Sequence, residues 1–369
     1  MTADAAVSPR APTLSVVVPT FREAANVPVL FERLKTTLKG LPWEMIVVDD
    51  DSPDGTYDVA FRIAAKDPRM RCLRRVNRSG LAGAVIEGWL SSSADFVAVI
   101  DGDLQHDESI LPRMYAALAK GESNLAIGTR TSSAGGLSAA RQKLSGLGAW
   151  FFHRIPGAQV SDPMSGFFMI RRDIVGELAP RLVTDGFKIL VDVILSARGT
   201  LKVVEVPYEF RSRVAGESKL NALVGLDFLG LVVHHATGGV LPIRFVLFAL
   251  VGAIGLLVHL VVLAIFRFGA QGNFGQGQLL ATLVAMASNF VLNNEITYRR
   301  YRFRGVALIW GFIAFAIACS VGVLANIDIA SALYRSHQKW WLAGLAGALL
   351  SVVWNYAIST NFIWRPRRR

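Results

Sequence analysis

The chain of 369 residues contains few cysteines, few acidic residues and no clustered histidines. Its only cysteines are Cys72 and Cys319, so the fold needs neither a disulfide framework nor an oxidising compartment. The six histidines are scattered without the spacing of a metal site. Residues 1–13 are polar and lack the apolar core of a secretory signal, and we predict a flexible tail there.

The charge balance is strongly basic. Lys and Arg number 39 against 28 Asp and Glu, which gives a formal net charge of +11. Such basicity is compatible with nucleic-acid binding. However, much of the arginine lies at the edges of apolar segments, which indicates contact with anionic lipid headgroups. We therefore expect a lipid bilayer as a partner and no nucleic acid.

Apolar residues are abundant and unevenly distributed. They make up 52% of the chain, yet residues 1–215 have an ordinary charge content, so the excess lies in the C-terminal part. The length allows two domains. We predict a soluble domain over residues 14–219, a helix over 220–240 and a membrane domain over 241–369.

Short apolar runs and helical patterns alternate in the soluble domain. Strands are predicted at 14–18, 44–48, 70–73, 95–100 and 125–128, and helices at 27–38, 56–65 and 80–90, the last capped by Ser79. This alternation is typical of a doubly wound, Rossmann-like α/β domain. Ligands of such domains bind beyond the carboxyl ends of the strands.

Acidic or polar residues cluster at three of those predicted strand ends, at 19–23, 49–51 and 101–106. Asp101 and Asp103 stand two positions apart after the fourth strand, so their side chains point to one side. Two carboxylates can share a hard cation, and that cation can hold a diphosphate. Acidic turns after strands are common, so each cluster alone is also compatible with an ordinary turn.

Five motifs in order resemble those of dolichol-phosphate mannose synthases, which are polyprenyl-phosphate glycosyltransferases of glycosyltransferase family 2 with the GT-A fold. The motifs are Val-Val-Val-Pro-Thr-Phe-Arg-Glu (16–23), Val-Val-Asp-Asp-Asp-Ser-Pro-Asp-Gly-Thr (47–56), Asp-Gly-Asp-Leu-Gln-His (101–106), Ser-Asp-Pro-Met-Ser-Gly-Phe-Phe (161–168) and Gly-Glu-Ser-Lys-Leu (216–220). The resemblance covers about residues 14–220 and implies a catalytic domain of the GT-A type.

The resemblance also implies roles for individual residues. The nucleotide sugar would contact Pro19, Phe21, Glu23, Val48, Asp50, Asp101, Gly102, Asp103, Gln105 and Arg130. Mg²⁺ or Mn²⁺ would be held by Asp101, Asp103 and Gln105. The lipid phosphate would be bound by Arg130, Arg141, Ser145, Arg213 and Lys219. The catalytic set would be Asp101, Asp103, Arg213 and Lys219. The family usually has Tyr at the position of Phe21, so a contact through that hydroxyl is lost.

The implied reaction moves mannose from GDP-mannose to a polyprenyl or dolichyl phosphate. The acceptor is already anionic near neutral pH, so it needs cations nearby rather than a strong base. A single in-line displacement would invert the anomeric carbon. UDP-glucose is the alternative donor, because Asp50 can pair with either base. Arg213 and Lys219 are also compatible with a solvated basic segment.

The C-terminal part predicts a multi-pass protein of the plasma or inner membrane. Residues 220–240 predict an amphipathic helix in the interface, or alternatively a core helix of the soluble domain. Four spans are predicted near 244–266, 277–297, 306–326 and 341–363. Arginines follow the second and fourth spans, so the positive-inside rule places the catalytic domain and the C-terminus in the cytoplasm.

The second and fourth spans share a pattern at an offset of 66 residues, from Asn289 to Asn355 and from Tyr298 to Trp364. This predicts a duplicated helical hairpin. The pattern resembles the small four-span proteins linked to O-antigen glucosylation, sometimes proposed as flippases of lipid-linked sugars. Asparagines at membrane depth are compatible with helix packing or with a polar path for a lipid headgroup. The membrane half is therefore predicted either to anchor the catalytic domain or to transport the lipid-linked sugar.

Overall fold

The computed structural model describes residues 12–78, 80–131, 160–184, 188–211, 222–268, 274–335 and 340–365. The chain folds into two compact units, residues 1–228 and residues 229–369. Thr13, placed in the tail by the sequence, donates from Oγ1 to the Pro42 carbonyl oxygen at 3.0 Å. The predicted domain limits otherwise stay predictions.

The first unit is an α/β layer structure. Its strands are β1 (Leu14–Thr20), β2 (Trp43–Asp49), β3 (Met70–Arg74), β4 (Phe96–Val99), β5 (Leu125–Thr131), β6 (Phe168–Arg171) and β7 (Val203–Glu209). Its helices are α1 (Asn26–Thr37), α2 (Thr56–Ala64), α3 (Leu81–Ser91), α4 (Leu111–Ala119), α5 (Arg172–Leu178) and α6 (Ile189–Ser196). The apolar side chains of β2 are buried along its whole length, as expected for a parallel strand covered on both faces.

The seven strands form one mixed sheet in the order β3-β2-β1-β4-β6-β5-β7. Strand β1 pairs in parallel with β2 on one side and with β4 on the other. The strand order therefore reverses at β1, and a crevice opens beyond the carboxyl ends of β1 and β4. Strand β6 runs antiparallel to β4 and β5.

The predicted elements of residues 14–128 coincide with observed ones within about two residues at each end, except that β5 continues three residues beyond its predicted end. Strands β6 and β7 were not predicted. The N-cap of α3 is Gly80, with φ +130°, rather than Ser79, which lies outside the described residues. Gly88 brings α3 against the sheet, because a Cβ at that position would clash with the Val17 side chain.

The second unit is helical. It contains the end of α7 (Ala222–Ala236), followed by α8 (Ile243–Phe268), α9 (Phe274–Leu292), α10 (Ala307–Arg335) and α11 (Trp340–Ile358). Residues 243–266 and 276–297 are long and apolar enough to cross a bilayer, and shorter apolar stretches cover 307–322 and 349–363 of the described residues. Helices thus occupy all four predicted segments, while the number of crossings stays a prediction.

The two hairpins α8–α9 and α10–α11 have equivalent ends. Each finishes in one turn of π-helix, Asn293–Thr297 and Ser359–Ile363. The equivalent rings of Tyr298 and Trp364 stack at 4.4 Å between centroids with 5° between planes. The duplicated pattern predicted at an offset of 66 residues therefore has a structural counterpart.

Hydrogen bonds join these ends reciprocally. The Tyr298 hydroxyl lies 2.8 Å from Thr360 Oγ1, and Trp364 Nε1 donates to Asn294 Oδ1 at 3.1 Å. Positions 294 and 360 are themselves equivalent at the same offset. Each hairpin thus supplies one ring and one polar partner, which is the arrangement of a pseudo-twofold axis through the stacked rings.

A glycine and an asparagine meet inside each hairpin. A Cβ at Gly255 of α8 would clash with the Asn289 amide of α9, and a Cβ at Gly322 of α10 would lie 2.5 Å from Asn355 Oδ1 of α11. Both Asn Oδ1 atoms are buried without a hydrogen-bond partner. The glycines allow the close helix approach that is typical of membrane helix pairs.

Candidate functional site

The loops after β1, β2 and β4 surround the crevice where the strand order reverses. Their backbones are joined directly, since Asp50 N donates to the Thr20 carbonyl oxygen at 3.1 Å and Ile100 N to Val17 O at 3.2 Å. The three predicted acidic clusters therefore share one edge of the sheet. Ligands of open α/β sheets bind at this kind of crevice.

Asp49 holds the first two loops together. Its fully buried carboxylate accepts from Thr20 Oγ1 at 3.1 Å, from Ser52 N at 2.8 Å and from Ser52 Oγ at 2.6 Å. Ser52 Oγ in turn accepts from the Arg22 backbone N–H at 3.0 Å. These bonds fix the loop that carries Phe21 and Glu23. The Asp49 carboxylate is therefore a structural group rather than a ligand-binding one.

Three residues at this edge have left-handed backbone conformations. Arg22, Asp51 and Leu104 have φ of 65°, 55° and 61°, and each follows a different central strand. Non-glycine residues rarely adopt this region, and such strain concentrates at ligand-binding sites. The strain at Leu104 reverses the chain directly after Asp103.

Asp50 is mostly buried and paired. One carboxylate oxygen forms an ion pair with Arg75 Nη1, and the other accepts from Gly80 N at 2.6 Å. The Arg75 side chain is only 5% exposed. Arg75 therefore fixes the orientation of the carboxylate that the sequence assigns to the nucleotide. Sequence reasoning missed Arg75, because it follows β3, far along the chain from the acidic motif.

The nucleotide-facing candidates of β1 and β2 differ in exposure. The Phe21 ring is 55% exposed, and the Arg22 guanidinium lies over it at 5.4 Å from the ring centre. Pro19 and Glu23 are half-buried. The Val48 side chain is fully buried, and a Cβ at Gly88 would lie 3.1 Å from it. Val48 therefore faces α3 with its side chain, and only its main chain lies toward the crevice end of β2.

Asp101, Gly102 and Asp103 form the third loop. A Cβ at Gly102 would lie 3.4 Å from both Glu23 Cγ and Thr20 Cγ2, so the loop packs closely on the end of β1. Asp103 Oδ1 accepts from Gln105 N at 3.2 Å, which closes a local turn. A Cβ at Gly166 would lie 2.6 Å from Asp101 Oδ2. The absence of a side chain at Gly166 therefore allows the backbone there to approach the Asp101 carboxylate.

His106 connects Asp101 to β7. Its Nε2 lies 3.2 Å from Asp101 Oδ2, and its Nδ1 lies 2.6 Å from the Tyr208 hydroxyl. The ring is 5% exposed and packs against Phe167, Tyr208 and Phe210 at 5.4–5.8 Å between centroids. Both ring nitrogens are thus engaged by protein groups, which is the position of an orienting residue rather than a metal ligand.

Gln105 and Arg211 join the same loop to the end of β7. Arg211 N donates to the Gln105 carbonyl oxygen at 2.9 Å, and its guanidinium donates to Glu108 at 2.7 Å and to Asp107 at 2.8 Å. The Gln105 amide nitrogen lies 3.4 Å from the Arg211 carbonyl oxygen. That orientation leaves the Gln105 amide oxygen as the atom available to a cation.

Arg130 forms a two-bond ion pair with Asp162. Its Nε and Nη2 donate to the two carboxylate oxygens at 2.7 and 2.9 Å, and these bonds raise the pKa of Arg130. The guanidinium also lies 5.6 Å from the centre of the Phe210 ring. Nη1 takes no part in the Asp162 pair, so it is the atom through which Arg130 could contact a phosphate.

The loop that carries Asp162 is tied to β7. The carboxylate of Glu205 accepts from Ser161 N at 2.6 Å and from Ser161 Oγ at 2.7 Å, while Ser165 Oγ donates to the Gly128 carbonyl oxygen at 2.7 Å. The sequence suggested no role for Glu205. Its role depends on the pairing of β5 with β7, which brings position 205 opposite position 127.

Lys188 is a further cation near the site that sequence reasoning missed. Burial lowers the pKa of its ammonium group and the charge of Arg130 adds to that, whereas the acidic groups of Asp101, Asp162 and Asp227 raise it. Lys188 is the N-cap residue of α6. No motif marks it in the sequence, because its charged neighbours come from four separate segments.

Four predicted lipid-phosphate and catalytic residues lie outside the described residues. They are Arg141, Ser145, Arg213 and Lys219. The part of the chain that the structure describes therefore contains the nucleotide side of the predicted site, together with Arg130.

The donor groups at Asp101 and Asp103 fit a Mg²⁺ or Mn²⁺ ion. Magnesium sites commonly use one or two carboxylates and complete the coordination shell with substrate phosphates and water. Among the described residues, no group of three His, Cys, Asp or Glu side chains could hold a metal by itself. Two carboxylates suit an ion that arrives with a diphosphate.

Two family models match the chain. Glycosyl transferase family 2 matches residues 15–179, and the GtrA/DPMS transmembrane domain matches residues 247–364. The chain is thus similar to a catalytic family over its first unit and to a membrane family over its second.

Two curated relatives and one solved structure add to this comparison. The chain is 33% identical to a dolichol-phosphate mannosyltransferase of Pyrococcus furiosus, over 95% of this chain and 99% of that protein. It is 32% identical to a dolichol-phosphate mannosyltransferase of Mycosarcoma maydis, over 65% of this chain and 85% of that protein. The chain shares the GT-A fold with glucosyl-3-phosphoglycerate synthase of Mycobacterium tuberculosis, which was solved with Mn²⁺, UDP-glucose and phosphoglyceric acid. The TM-score is 0.50 and the identity 20%, over 61% of this chain and 80% of that chain.

Proposed function

We propose that the chain, which belongs to the dolichol-phosphate mannosyltransferases of glycosyl transferase family 2, transfers mannose from GDP-mannose to a polyprenyl phosphate. Membership of this family makes the chain a membrane-bound polyprenyl-phosphate glycosyltransferase. One observation carries the proposal. Asp101 and Asp103 lie at the reversal of strand order, in a tight strained turn beside the end of β1. This is where an α/β sheet binds a nucleotide, and the two carboxylates suit a diphosphate-bound cation.

The donor nucleotide would lie across the ends of β1 and β2. The exposed Phe21 ring offers a surface on which a purine can stack, and the Asp50 carboxylate offers acceptor lone pairs to base or ribose donors. Arg75 would keep that carboxylate in place. Mannose as the transferred sugar is favoured by the relatives, which are mannosyltransferases, and GDP as its carrier is part of the proposal.

A divalent cation would be held by Asp101, Asp103 and the Gln105 amide oxygen, and it would neutralise charge on the departing diphosphate. The cation in the Mycobacterium tuberculosis enzyme supports this proposal by analogy of fold. Gly166 packs so closely on the Asp101 carboxylate that a Cβ there would clash with it, so a larger residue at position 166 would displace this candidate ligand.

The acceptor phosphate oxygen would attack the anomeric carbon of mannose, forming the new C–O bond as the bond to GDP breaks. Because the acceptor is already ionised, no residue must remove a proton from it. The work of the protein is to hold two anionic groups close together. Arg130, together with Arg141, Ser145, Arg213 and Lys219, would bind the acceptor phosphate. Lys188 is a further candidate, because it lies within the electrostatic reach of Arg130 and Asp101.

We further propose that the reaction takes place at the cytoplasmic membrane face. The segment 299–304 between the second and third apolar helices contains four arginines, and the chain ends in Arg365 and three more arginines. Arginine-rich segments of this kind remain in the cytoplasm. Four crossings would then put both segments and the catalytic unit on one side.

The experiment is a transfer assay with the full-length protein in detergent or liposomes. The donors are radiolabelled GDP-mannose and UDP-glucose, the acceptor is a polyprenyl phosphate, and Mn²⁺ is supplied with or without excess chelator. We expect a labelled lipid from GDP-mannose that disappears with chelator. Labelled lipid from UDP-glucose alone would replace the proposed donor, and transfer that persists in chelator would remove the cation from the proposal.

Ligand-induced thermal stabilisation provides a check that does not depend on turnover. A ligand that binds the folded state raises its stability by about 2.7 kcal/mol at a concentration of about 100 times its Kd. GDP with Mn²⁺ should therefore raise the unfolding temperature more than UDP with Mn²⁺ at equal concentration. Equal or reversed shifts would contradict GDP-mannose as donor.

A further inference from the structure

His106 lies between a candidate cation-binding carboxylate and a buried tyrosine on a distant strand. Its two nitrogens reach Asp101 Oδ2 at 3.2 Å and the Tyr208 hydroxyl at 2.6 Å. Residues 106 and 208 are far apart in the chain and meet because β7 lies in the same sheet as β4. We propose that Tyr208 and His106 act as a positioning relay that holds the Asp101 carboxylate in the orientation needed to bind a divalent cation.

The direction of the hydrogen bonds follows from the chemistry of the three groups. A carboxylate can only accept, so His106 Nε2 must carry the proton that faces Asp101. In a neutral imidazole Nδ1 is then an acceptor, and the Tyr208 hydroxyl donates to it. Burial raises the pKa of Tyr208, so its hydroxyl remains protonated and able to donate. The Asp101 carboxylate requires the Nε2–H tautomer of His106, and the Tyr208 hydroxyl supports the same tautomer by donating to Nδ1.

The surroundings hold this relay rigidly. His106 is packed by the rings of Phe167, Tyr208 and Phe210, and Phe167 contacts Tyr208 edge-on at 5.6 Å between centroids. Tyr208 is 4% exposed. On the other side of the carboxylate, the backbone at Gly166 comes so close to Asp101 Oδ2 that a Cβ there would clash with it. With the Oδ2 atom held by His106, Oδ1 is the oxygen left for a ligand.

The relay depends on the proposed function in one respect, which is that Asp101 must bind a cation. Groups that orient a metal-binding side chain commonly change metal affinity by about 10- to 100-fold when they are removed. The relay differs from simple core packing because it depends on one hydroxyl proton. Tyr208→Phe removes that hydroxyl and keeps the ring.

The test uses the full-length protein in detergent, with Tyr208→Phe, His106→Gln and the matched control Tyr115→Phe, whose ring packs edge-on against Phe96. The first measurement is the ¹⁵N spectrum of histidine-labelled protein at one fixed pH, in which the His106 signal is identified by its loss in His106→Gln. We expect the Nε2–H tautomer in the wild type and in Tyr115→Phe, and a larger share of the Nδ1–H tautomer in Tyr208→Phe, where Asp101 alone favours Nε2–H.

The second measurement is Mn²⁺ binding, followed by electron paramagnetic resonance in the presence of nucleoside diphosphate. We expect about a tenfold weaker Mn²⁺ affinity in Tyr208→Phe. His106→Gln should lie nearer the wild type, because its amide can still donate to Asp101. Tyr115→Phe should match the wild type.

An unchanged tautomer together with unchanged Mn²⁺ affinity in Tyr208→Phe would overturn the relay, even in an active enzyme. Lack of mannosyl transfer by the wild type would instead end the proposed function and leave the tautomer result standing. If Tyr208→Phe does not fold, the comparison of His106→Gln with His106→Phe tests the relay instead. Equal Mn²⁺ affinity in those two variants would also overturn the relay.

Discussion

The two units of the molecule bury different kinds of polar side chain. In residues 12–228 the buried set includes charged groups such as Glu44, Asp49 and Arg75. Among the described side chains of residues 229–369, the buried polar ones are all neutral. They are Asn293, Asn294, Thr297 and Ser359. The catalytic unit buries charged groups at both ends of its sheet, whereas the helical unit buries amides and hydroxyls near the ends of its hairpins.

The contrast follows from what surrounds each unit. A charge can be buried in a water-soluble domain when a partner satisfies it, as Arg75 satisfies Asp50. A charge inside a bilayer is far more costly, so membrane segments use neutral groups that bond to one another. The mostly buried pair of Asp50 and Arg75 lies at the candidate site, whereas hydrogen bonds between neutral groups join the hairpin ends of the second unit. Four predictions test this distinction.

The largest effect is expected at Asp103. Asp103→Asn removes a charged ligand of the proposed cation, and loss of several kcal/mol of charge stabilisation lowers turnover by about 10³-fold. Thermal unfolding should stay unchanged. The matched control is Asp95→Asn, an exposed carboxylate before the start of β4, which should keep full activity in the GDP-mannose assay. Comparable turnover in Asp103→Asn and the wild type would remove Asp103 from the site.

Loss of Arg75 should be the most damaging to stability. Arg75→Met leaves the mostly buried Asp50 carboxylate without its cation, and breaking such a buried pair costs about 3–5 kcal/mol. The neighbouring Arg74→Met breaks an exposed pair with Asp51 and should leave the unfolding midpoint nearly unchanged. Equal midpoints for the two variants in thermal denaturation would show that the Asp50 pair is not a buried one.

The glycines of the two hairpins should respond alike. Gly255→Ala and Gly322→Ala each place a methyl group against an asparagine amide, and overpacking of this kind costs about 1–3 kcal/mol. Gly252→Ala, in the same helix as Gly255, meets nothing within 4 Å and should be neutral or slightly stabilising. The measurement is the unfolding temperature in detergent. A large effect at only one of the two glycines would mean that the hairpins are not equivalent.

The smallest effect concerns the stacked rings. In a double-mutant cycle, Tyr298→Leu and Trp364→Leu should be coupled by about 1 kcal/mol, because the offset rings interact beyond their buried area. The comparison cycle pairs Tyr298→Leu with Trp310→Leu, which is 69% exposed and should give additive changes. Additivity in the first cycle, measured by thermal unfolding in detergent, would argue against an axis through the stack.

Local patterns predicted most of the fold. Strands β1 to β5 and helices α1 to α3 were placed correctly, because continuous apolar runs and helical periodicity record which faces are buried. Strands β6 and β7 were not found, since β6 has only four residues and β7 alternates buried with exposed positions that include Pro207. Their place in the sheet depends on pairing with segments far away in the chain.

The candidate site divides in the same way. Asp101, Asp103 and Asp50 could be proposed from the sequence, because each belongs to a motif that follows a strand. Arg75, Lys188, Tyr208 and Glu205 could not, because each acts on a residue from another segment. The predicted partner of Arg130 was a phosphate, and the structure adds Asp162, which already occupies two of its three nitrogens.

The amino-acid sequence by itself determined the division into a charged α/β half and an apolar helical half, the acidic turns at strand ends and the repeat at 66 residues. Each of these features depends only on neighbouring residues or on a fixed spacing along the chain. Only the tertiary structure decided which groups hold those turns in place. Hydrogen bonds such as that from Tyr208 to His106 join residues whose distance along the chain carries no signal, and they form only after the sheet has brought its strands side by side.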